Sequence, residues 1–288
     1  MNRLALGTAQ FGMDYGINNQ RGIIPEKEVF EILDLAAASG INLLDTAHDY
    51  GRSEEVIGKY RQNNDHRFNI VTKLVNEDKV VLGKMMLESF DRLGGRPLYG
   101  CVIHEFAVYR DNPHIYDVLK QAKASGRVQK VGFSIYYPTE LDSLLDQDIH
   151  FDLLQIPYNV FDQRFAPYFS RLRERGIELH VRSVFLQGLV FRAPDKLPAK
   201  LARFAGKLAG LGKIAREQNV PVAALCLNFA LLEQGIDQVV VGVDSLDNLK
   251  QNLASQAAQE KVNGLMPALK ALREDNEEFI LPFKWEAN

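Results

Sequence analysis

Short apolar runs rich in β-branched residues alternate with longer amphipathic stretches along this chain. In the first unit, the apolar run Leu4–Thr8 precedes a helical pattern between Pro25 and Gly40. A second helix is expected to begin with Ser53 as its N-cap. The seventh strand, Ile177–Val184, is expected to lead into a long helical region that ends at Asn219. Strands that alternate with helices pair in parallel and are covered on both faces. Eight such units follow without a Pro/Gly/Ser-rich linker, so we predict an α/β fold and a single domain over residues 1–288.

Two parallel architectures fit this order of elements, a closed (β/α)8 TIM barrel and an open doubly wound sheet. The open sheet usually carries a GxGxxG turn after its first strand, and Gly7 and Gly12 do not have this spacing. A barrel of this kind typically takes about 250 residues, which the chain length accommodates. We therefore predict a TIM barrel with an extra helix after Pro221, ahead of the last strand at Asp237–Gly242, and with a C-terminal tail.

Charge and hydropathy make several classes of function improbable for this chain. A formal net charge of -3 at pH 7 gives no bulk attraction for nucleic acid or an anionic membrane, so we expect neither as a partner. The N-terminus lacks the apolar segment of a secretory signal, and no run reaches the roughly 18 apolar residues of a membrane span. We therefore expect a cytoplasmic protein. No heptad run requires assembly, so a monomer is expected and a homodimer remains open.

The two cysteines do not form the pattern of a metal site. Cys101 and Cys226 each lie inside an apolar run, without a second Cys or His at the spacing that zinc sites use. A free cysteine in such surroundings packs like a small apolar side chain. We therefore expect two buried thiols and no bound metal.

Four titratable side chains lie at or just beyond the ends of three predicted strands. Asp45, Lys73 and His104 each end a short apolar run, and Tyr50 lies in the loop after Asp45. The carboxyl ends of parallel strands meet at one edge of the sheet, where the functional loops also lie. We therefore expect a carboxylate, an ammonium, an imidazole and a phenol to share one pocket.

This set of groups suits proton donation to a carbonyl oxygen while another group delivers hydride to the carbon. A phenol with a pKa of about 10 donates poorly at neutral pH unless its phenolate is stabilised, which the Lys73 ammonium would do. Asp45 would keep the buried Lys73 charged, and His104 could bind the oxygen that Tyr50 protonates. Singly, these residues have ordinary structural roles as an ion pair, a core histidine and a packed tyrosine. Four of them at adjacent strand ends favour a catalytic site.

The segment Asp45-Thr-Ala-His-Asp-Tyr-Gly-Arg-Ser-Glu54 is similar to the signature of the aldo-keto reductase family around its catalytic Asp and Tyr. The segments Val71–Lys73 and Ile103–His104 match those that carry the family's Lys and His, and Leu4–Gly12 is similar to its first barrel strand. The resemblance covers essentially the whole chain. It implies NAD(P)H-dependent reduction of a carbonyl, in an aldehyde, ketone or sugar, to an alcohol.

The same resemblance assigns roles to the four residues. Tyr50 would be the general acid, Asp45 and Lys73 would tune it, and His104 would orient the carbonyl. The nicotinamide cofactor would lie across the barrel mouth instead of on a Rossmann turn. Its implied contacts are Ser134, Gln155, Arg182, Ser183, Gly188, Gly242, Asp244, Asn248 and Asn252.

Two positions at the nicotinamide end depart from the family pattern. Ser134 and Gln155 resemble the residues that hold the carboxamide, but the family often has Asn directly after this Ser, where this chain has Ile135. The family commonly has an aromatic residue at the end of strand seven, where this chain has Arg182. This guanidinium would favour NAD(P)H over NAD(P)+ or bind an anionic group of the substrate. A scaffold ion pair is the alternative.

The loop after the last strand bears on the choice between NADH and NADPH. Family members that use NADPH generally have Arg or Lys here to bind the 2'-phosphate. This chain has Asp244 and Asn248 at these positions, and Lys250 is the only cation nearby in the sequence. A carboxylate repels a phosphate and can accept hydrogen bonds from a ribose hydroxyl, so we expect a preference for NADH. Capping of the final helix by Asp244 and Ser245 is the alternative.

The resemblance implies a small carbonyl compound as substrate. The sequence does not identify the compound, because specificity in such barrels comes from the variable loops and the C-terminal tail. Tyr15, Tyr136, Phe185 and Trp285 could supply apolar walls for a sugar ring or an aromatic aldehyde. A cofactor-binding sensor or regulatory subunit with little turnover is the main alternative, since such subunits resemble the same barrel and keep the same four residues.

Overall fold

Eight parallel strands close into a barrel in sequence order, and the last strand pairs with the first. The computed structural model describes residues 2–17, 19–64 and 66–285. The strands are β1 Leu4–Gly7, β2 Leu43–Asp45, β3 Asn69–Leu74, β4 Leu98–Ile103, β5 Val128–Ser134, β6 Leu153–Pro157, β7 Glu178–Arg182 and β8 Gln238–Gly242. The prediction of a (β/α)8 barrel is confirmed, and all the strands point their carboxyl ends at one mouth.

Helices follow every strand, and most begin close to where the sequence predicts them. They are α1 Ala9–Gly12, α2 Glu26–Ala38, α3 Ser53–Asn63, α4 Lys79–Arg92, α5 Phe106–Asp111, α6 Tyr116–Ala124, α7 Pro138–Asp146, α8 Phe169–Glu174, α9 Ala205–Gln218, α10 Val222–Leu232, α11 Leu246–Ser255, α12 Gln259–Asn263, α13 Met266–Lys270 and α14 Glu277–Ile280. The extra helix ahead of the last strand is α10. The C-terminal tail forms α12 to α14.

Two local expectations were wrong. The region after β7 was expected to be helical up to Asn219, but it is broken into short 3-10 segments before α9 begins at Ala205. Pro194 and Pro198 lack the N–H that a continuous helix would need. Ser53 does not cap α3 with its side chain; Arg52 takes the N-cap position. The Ser53 hydroxyl instead donates to the carbonyl of Thr8 at 2.9 Å, which ties α3 to the end of β1.

The barrel interior is apolar below the mouth. A cluster of small and branched side chains, one from each of six strands, fills it: Ala5, Leu43, Val71, Val102, Leu153 and Val240. A larger apolar core lies between the strands and the surrounding helices, and it includes both free thiols, Cys101 and Cys226. Burial of this surface stabilises the scaffold, so polar side chains at the mouth are carried on a rigid frame.

Glycine is required where α1 meets the loop that carries Tyr50. A Cβ added at Gly12 would lie 1.8 Å from the Tyr50 carbonyl oxygen and 2.4 Å from the Ser53 nitrogen. Gly51, with a φ of +53°, approaches Gly12 from the other side. Only residues without a Cβ allow this contact, which fixes Tyr50 above β2.

Two kinds of structural feature are absent from the described residues. None of the helices in residues 2–17, 19–64 and 66–285 is both long and apolar enough to cross a membrane. In the same ranges, no group of three or more His, Cys, Asp or Glu side chains is arranged to hold a metal ion.

Candidate active site

The carboxyl ends of the strands open into a cavity of about 440 Å³. Ten of the thirteen predicted site residues line it: Asp45, Tyr50, His104, Gln155, Arg182, Ser183, Gly188, Gly242, Asp244 and Asn248. Lys73, Ser134 and Asn252 do not line it. Lys73 lies directly behind Tyr50, Ser134 is 1% exposed at the end of β5, and Asn252 is 2% exposed on the buried face of α11.

Lys73 and Asp45 form a buried ion pair behind the phenol of Tyr50. The Lys73 Nζ donates to Asp45 Oδ1 at 2.6 Å and to the Thr46 carbonyl at 2.9 Å. It also lies 3.5 Å from the Tyr50 Oη. Lys73 is 1% exposed and Asp45 is 4% exposed, so neither charge is well solvated and each depends on the other.

The pKa of Tyr50 is raised above its ordinary value, mainly by burial and secondly by the negative charge of Asp45. The Lys73 ammonium, which was expected to stabilise the phenolate, does not offset these two effects. Asp45 lies in contact with Lys73, so its negative charge opposes the effect of the ammonium on the phenol. Tyr50 therefore keeps its proton throughout the neutral pH range, and it is a proton donor and not a base.

His104 lies against Tyr50 in an edge-to-face contact, with 6.1 Å between ring centroids and an interplanar angle of 80°. Burial, followed by the positive charges of Lys73 and Arg182, lowers the pKa of His104 to about 3. The imidazole is therefore neutral at pH 7. Its Nδ1 is buried and has no hydrogen-bond partner among the described residues, so the ring has hydrogen-bonding capacity left.

Gln155 connects the ion pair to the end of β5. Its Nε2 donates to Asp45 Oδ2 at 2.6 Å, so both oxygens of Asp45 are bound. Ser134 lies opposite Gln155 in the β5–β6 register. The Gln155 Oε1 and the Ser134 Oγ are buried and have no hydrogen-bond partner within the described ranges. A buried polar atom without a partner costs roughly 1–3 kcal/mol, and a carboxamide offers the donor and the acceptor that these two atoms lack.

Arg182 reaches from the end of β7 across the mouth of the barrel. Its guanidinium stacks on Tyr136, with Cζ 4.0 Å from the ring centroid, and its Nη2 donates to the Ile135 carbonyl at 3.2 Å. Arg182 takes part in none of the ion pairs that the described residues form. A scaffold ion pair therefore does not explain this residue.

The chain after β7 forms a strained wall of the cavity. Ser183, Leu186 and Gln187 have φ values of 62°, 44° and 52°, in the left-handed region that side chains rarely adopt. The Gln187 Nε2 donates to the Tyr15 hydroxyl at 3.0 Å, and burial together with nearby phenols raises the pKa of Tyr15 to about 12. Such strain is common at ligand sites, where the surrounding structure holds it in place.

A cation that sequence reasoning missed lies beside Asp244, which lines the opposite end of the cavity. Arg21 lies 223 positions from Asp244, yet its Nη1 donates to the Asp244 carbonyl at 3.0 Å. The same guanidinium forms a two-point ion pair with Glu28, whose Oε1 also accepts from the Leu246 N–H. In the folded protein, Lys250 is therefore not the only cation near this loop, as it is in the sequence. Lys250 is paired with Asp247 at 3.0 Å.

The alternative role of the loop as a helix cap is seen for Ser245. Its Oγ accepts from the Asn248 N–H at 3.2 Å and donates to Asp244 Oδ1 at 2.9 Å. Asp244 thus supports the cap while also lining the cavity. The two roles do not exclude each other.

The cavity walls are partly aromatic. Tyr15, Tyr136 and Phe185 line the cavity as expected, and Phe191, which sequence reasoning did not single out, joins them. Trp285 does not line it, because its indole N–H donates to the Phe279 carbonyl at 3.1 Å in the tail. Gln10, Asn19, Glu105 and Gln187 also line the cavity. No pattern in the sequence marks these polar residues, since Gln10 lies in the single turn of α1 and the others lie in irregular segments.

Comparison with known proteins agrees with this architecture. The model of the Aldo/keto reductase family matches residues 3–273. The chain is 21% identical over 295 residues to the oxidoreductase YqkF of Bacillus subtilis (strain 168), covering 94% of this chain and 96% of that protein. It is 25% identical over 311 residues to the aldo-keto reductase str7 of Strobilurus tenacellus, covering 95% of this chain and 88% of that protein.

The fold also has a counterpart among solved structures. The holo form of the aldo-keto reductase AKR11C1 from Bacillus halodurans matches with a TM-score of 0.74 at 20% identity, over 94% of this chain and 92% of that chain. At this identity the likeness concerns the fold alone, and the family follows from the sequence model that spans most of the chain. The chain belongs to the aldo/keto reductase family of nicotinamide-dependent oxidoreductases.

Proposed function

We propose that this protein reduces the carbonyl group of a small molecule to an alcohol, with Tyr50 as the proton donor. The observation that carries the proposal is the grouping of a protonated phenol, a neutral imidazole and a closed ion pair at one cavity. None of these groups is an activated nucleophile, so the site suits proton transfer.

In this proposal the four residues have separate tasks. His104, held neutral, positions the carbonyl oxygen through a hydrogen bond. Tyr50 gives its proton to that oxygen as negative charge develops there, because an alkoxide is a stronger base than a phenolate. Lys73, 3.5 Å from the phenol oxygen, stabilises the phenolate that proton donation leaves behind. Asp45 keeps Lys73 charged and in place.

The residues present fit a nicotinamide cofactor at two unpaired atoms, the Gln155 Oε1 in the cavity wall and the Ser134 Oγ directly beneath the lining. The bound cofactor would supply the hydride that the carbonyl carbon receives. We propose that Ser134 and Gln155 hold the carboxamide and that Arg182 lies beside the ring. The further contacts that we propose along the cavity are Ser183, Gly188, Gly242, Asp244, Asn248 and, from beneath the lining, Asn252.

NADH is the cofactor that we propose. Both cations beside the loop after β8 are already neutralised, Arg21 by Glu28 and Lys250 by Asp247. The Asp244 carboxylate lines the cavity at this end, where a 2'-phosphate would be repelled and a ribose hydroxyl could be bound.

Single-turnover oxidation of NADH and NADPH tests the proposal, with aldoses, aliphatic aldehydes and aromatic aldehydes as acceptors. Tyr50→Phe should slow the wild-type reaction by about 10²–10⁴-fold while cofactor still binds, which is the range of general acid catalysis. Tyr168→Phe is the matched control, because its hydroxyl is bonded to Asp142 away from the cavity. Tight cofactor binding without turnover in the wild type would contradict the proposal and favour a sensor.

A further inference from the structure

The position of Arg182 relative to two unpaired atoms leads to an inference that rests on the proposed function. The Ser134 Oγ and the Gln155 Oε1 are the carboxamide anchors of that proposal. Arg182 donates to the carbonyl of Ile135, the residue directly after Ser134. A ring attached to a carboxamide at these anchors must therefore lie in the immediate neighbourhood of the guanidinium.

The positive charge of Arg182 is not neutralised by its contacts. It touches the face of Tyr136 and a backbone carbonyl. Two buried carboxylates are already bound to other cations, Asp45 to Lys73 at 2.6 Å and Asp162 to Arg164 at 2.9 Å. The charge acts on the reaction centre, since it opposes the rise in the pKa of Tyr50 and contributes to the fall in the pKa of His104.

We propose that Arg182 makes this enzyme select the reduced form of its nicotinamide cofactor, by holding a positive charge beside a ring that becomes positively charged on oxidation. The reduced ring is neutral and can stack on the planar guanidinium. The oxidised ring carries a like charge, and like charges at short range in a poorly solvated site repel. The oxidised cofactor is thereby released readily after turnover and inhibits the enzyme weakly.

The experiment compares equilibrium dissociation constants for the reduced and oxidised cofactor in wild type and variants, by cofactor fluorescence and by calorimetry. Arg182→Met removes the charge at similar length, and Arg182→Lys keeps the charge without the planar group. Arg96→Met is the matched control, because Arg96 lies ahead of β4 at the opposite end of the barrel. Circular dichroism and thermal unfolding report whether each variant is folded.

Wild type should bind the reduced form more tightly than the oxidised form. Arg182→Met should reduce this ratio by about tenfold or more, which corresponds to roughly 1.4 kcal/mol. Arg182→Lys should retain most of the wild-type preference for the reduced cofactor, and Arg96→Met should retain all of it.

Four results would overturn the inference in distinguishable ways. An unchanged ratio in Arg182→Met, with both forms still bound, contradicts the inference and leaves the proposed function standing. If the ratio stays unchanged and only anionic carbonyl substrates bind more weakly, Arg182 is a substrate-binding residue. Failure of the wild type to bind either form contradicts both proposals. Loss of the ratio in Arg182→Lys as large as in Arg182→Met would assign the effect to stacking instead of charge.

Discussion

Gln155 and Asp45 are 110 positions apart in the chain, and the Gln155 amide donates a 2.6 Å hydrogen bond to Asp45 Oδ2. The other Asp45 oxygen binds Lys73. One carboxylate therefore links the proposed carboxamide anchor to the ion pair behind Tyr50. A substitution at Gln155 or at Lys73 should therefore change both the affinity for the cofactor and the rate of proton donation by Tyr50.

Replacement of Gln155 tests the anchor. Gln155→Leu removes the hydrogen bond to Asp45 and the free carbonyl at similar volume, so affinity for reduced and oxidised cofactor should fall together by about tenfold. Gln163→Leu is the control, since this second buried glutamine binds the carbonyls of Val160 and Lys270 outside the cavity. Titration by cofactor fluorescence measures the affinity of each variant for each cofactor form. Equal losses of affinity in Gln155→Leu and Gln163→Leu would contradict the role of Gln155 as a carboxamide anchor.

The Lys73–Asp45 pair should matter strongly for stability. Lys73→Met leaves the Asp45 carboxylate buried without its cation, and the free energy of unfolding should drop by about 3–5 kcal/mol. Adding Asp45→Asn in the same chain should restore part of this loss, because the remaining amide is neutral. Urea denaturation measures both steps. Lys59→Met is the control, because it breaks an exposed ion pair with Glu26 and should lower the free energy of unfolding by at most about 1 kcal/mol. A loss of the same small size in Lys73→Met would contradict the prediction.

The pKa of His104 predicts a pH dependence of stability. The imidazole titrates at 6.5 in the unfolded chain and at about 3 in the folded protein. Between these values the unfolded state binds more protons, so the free energy of unfolding falls as pH is lowered, by about 2 kcal/mol from pH 6.5 to pH 5. Above about pH 7.5 both states are neutral at this position, and the contribution is constant.

His104→Gln should therefore flatten the pH profile of unfolding between pH 6.5 and pH 5. Urea denaturation at pH 7, 6 and 5 measures the slope. His150→Gln is the control, because that side chain is 89% exposed. Parallel profiles for wild type and His104→Gln would show that His104 is not held neutral by its surroundings.

Glu28 should help to set the preference for NADH. Glu28→Gln frees the Arg21 guanidinium beside Asp244, so NADPH affinity should rise relative to NADH by about three- to tenfold, and Asp244→Arg should raise it further. The control is Glu26→Gln on the same helix, whose partner is Lys59. The measurement is the dissociation constant of each variant for NADH and for NADPH. If the ratio of these two constants is unchanged in both Glu28→Gln and Asp244→Arg, the proposed NADH preference is contradicted.

Much of the fold could be predicted because its determinants are local. Apolar runs and amphipathic periods mark strands and helices directly, as for Glu26–Ala38, which was predicted nearly to the residue. The convergence of Asp45, Lys73 and His104 also followed, since the ends of parallel strands meet at one mouth. The cap at Ser53 could not be predicted correctly, because its hydroxyl finds a stronger competing partner at Thr8, 45 positions away.

The sequence by itself determined the barrel, the order of its strands and which titratable groups reach the mouth. Tertiary structure alone decided how those groups act on one another. The contact of Arg21 with Asp244, the bond of Gln155 to Asp45 and the stacking of Arg182 on Tyr136 all join separate βα units. The pKa of a side chain depends on burial and on charges a few ångströms away, and these are properties of the closed barrel and not of any segment within it.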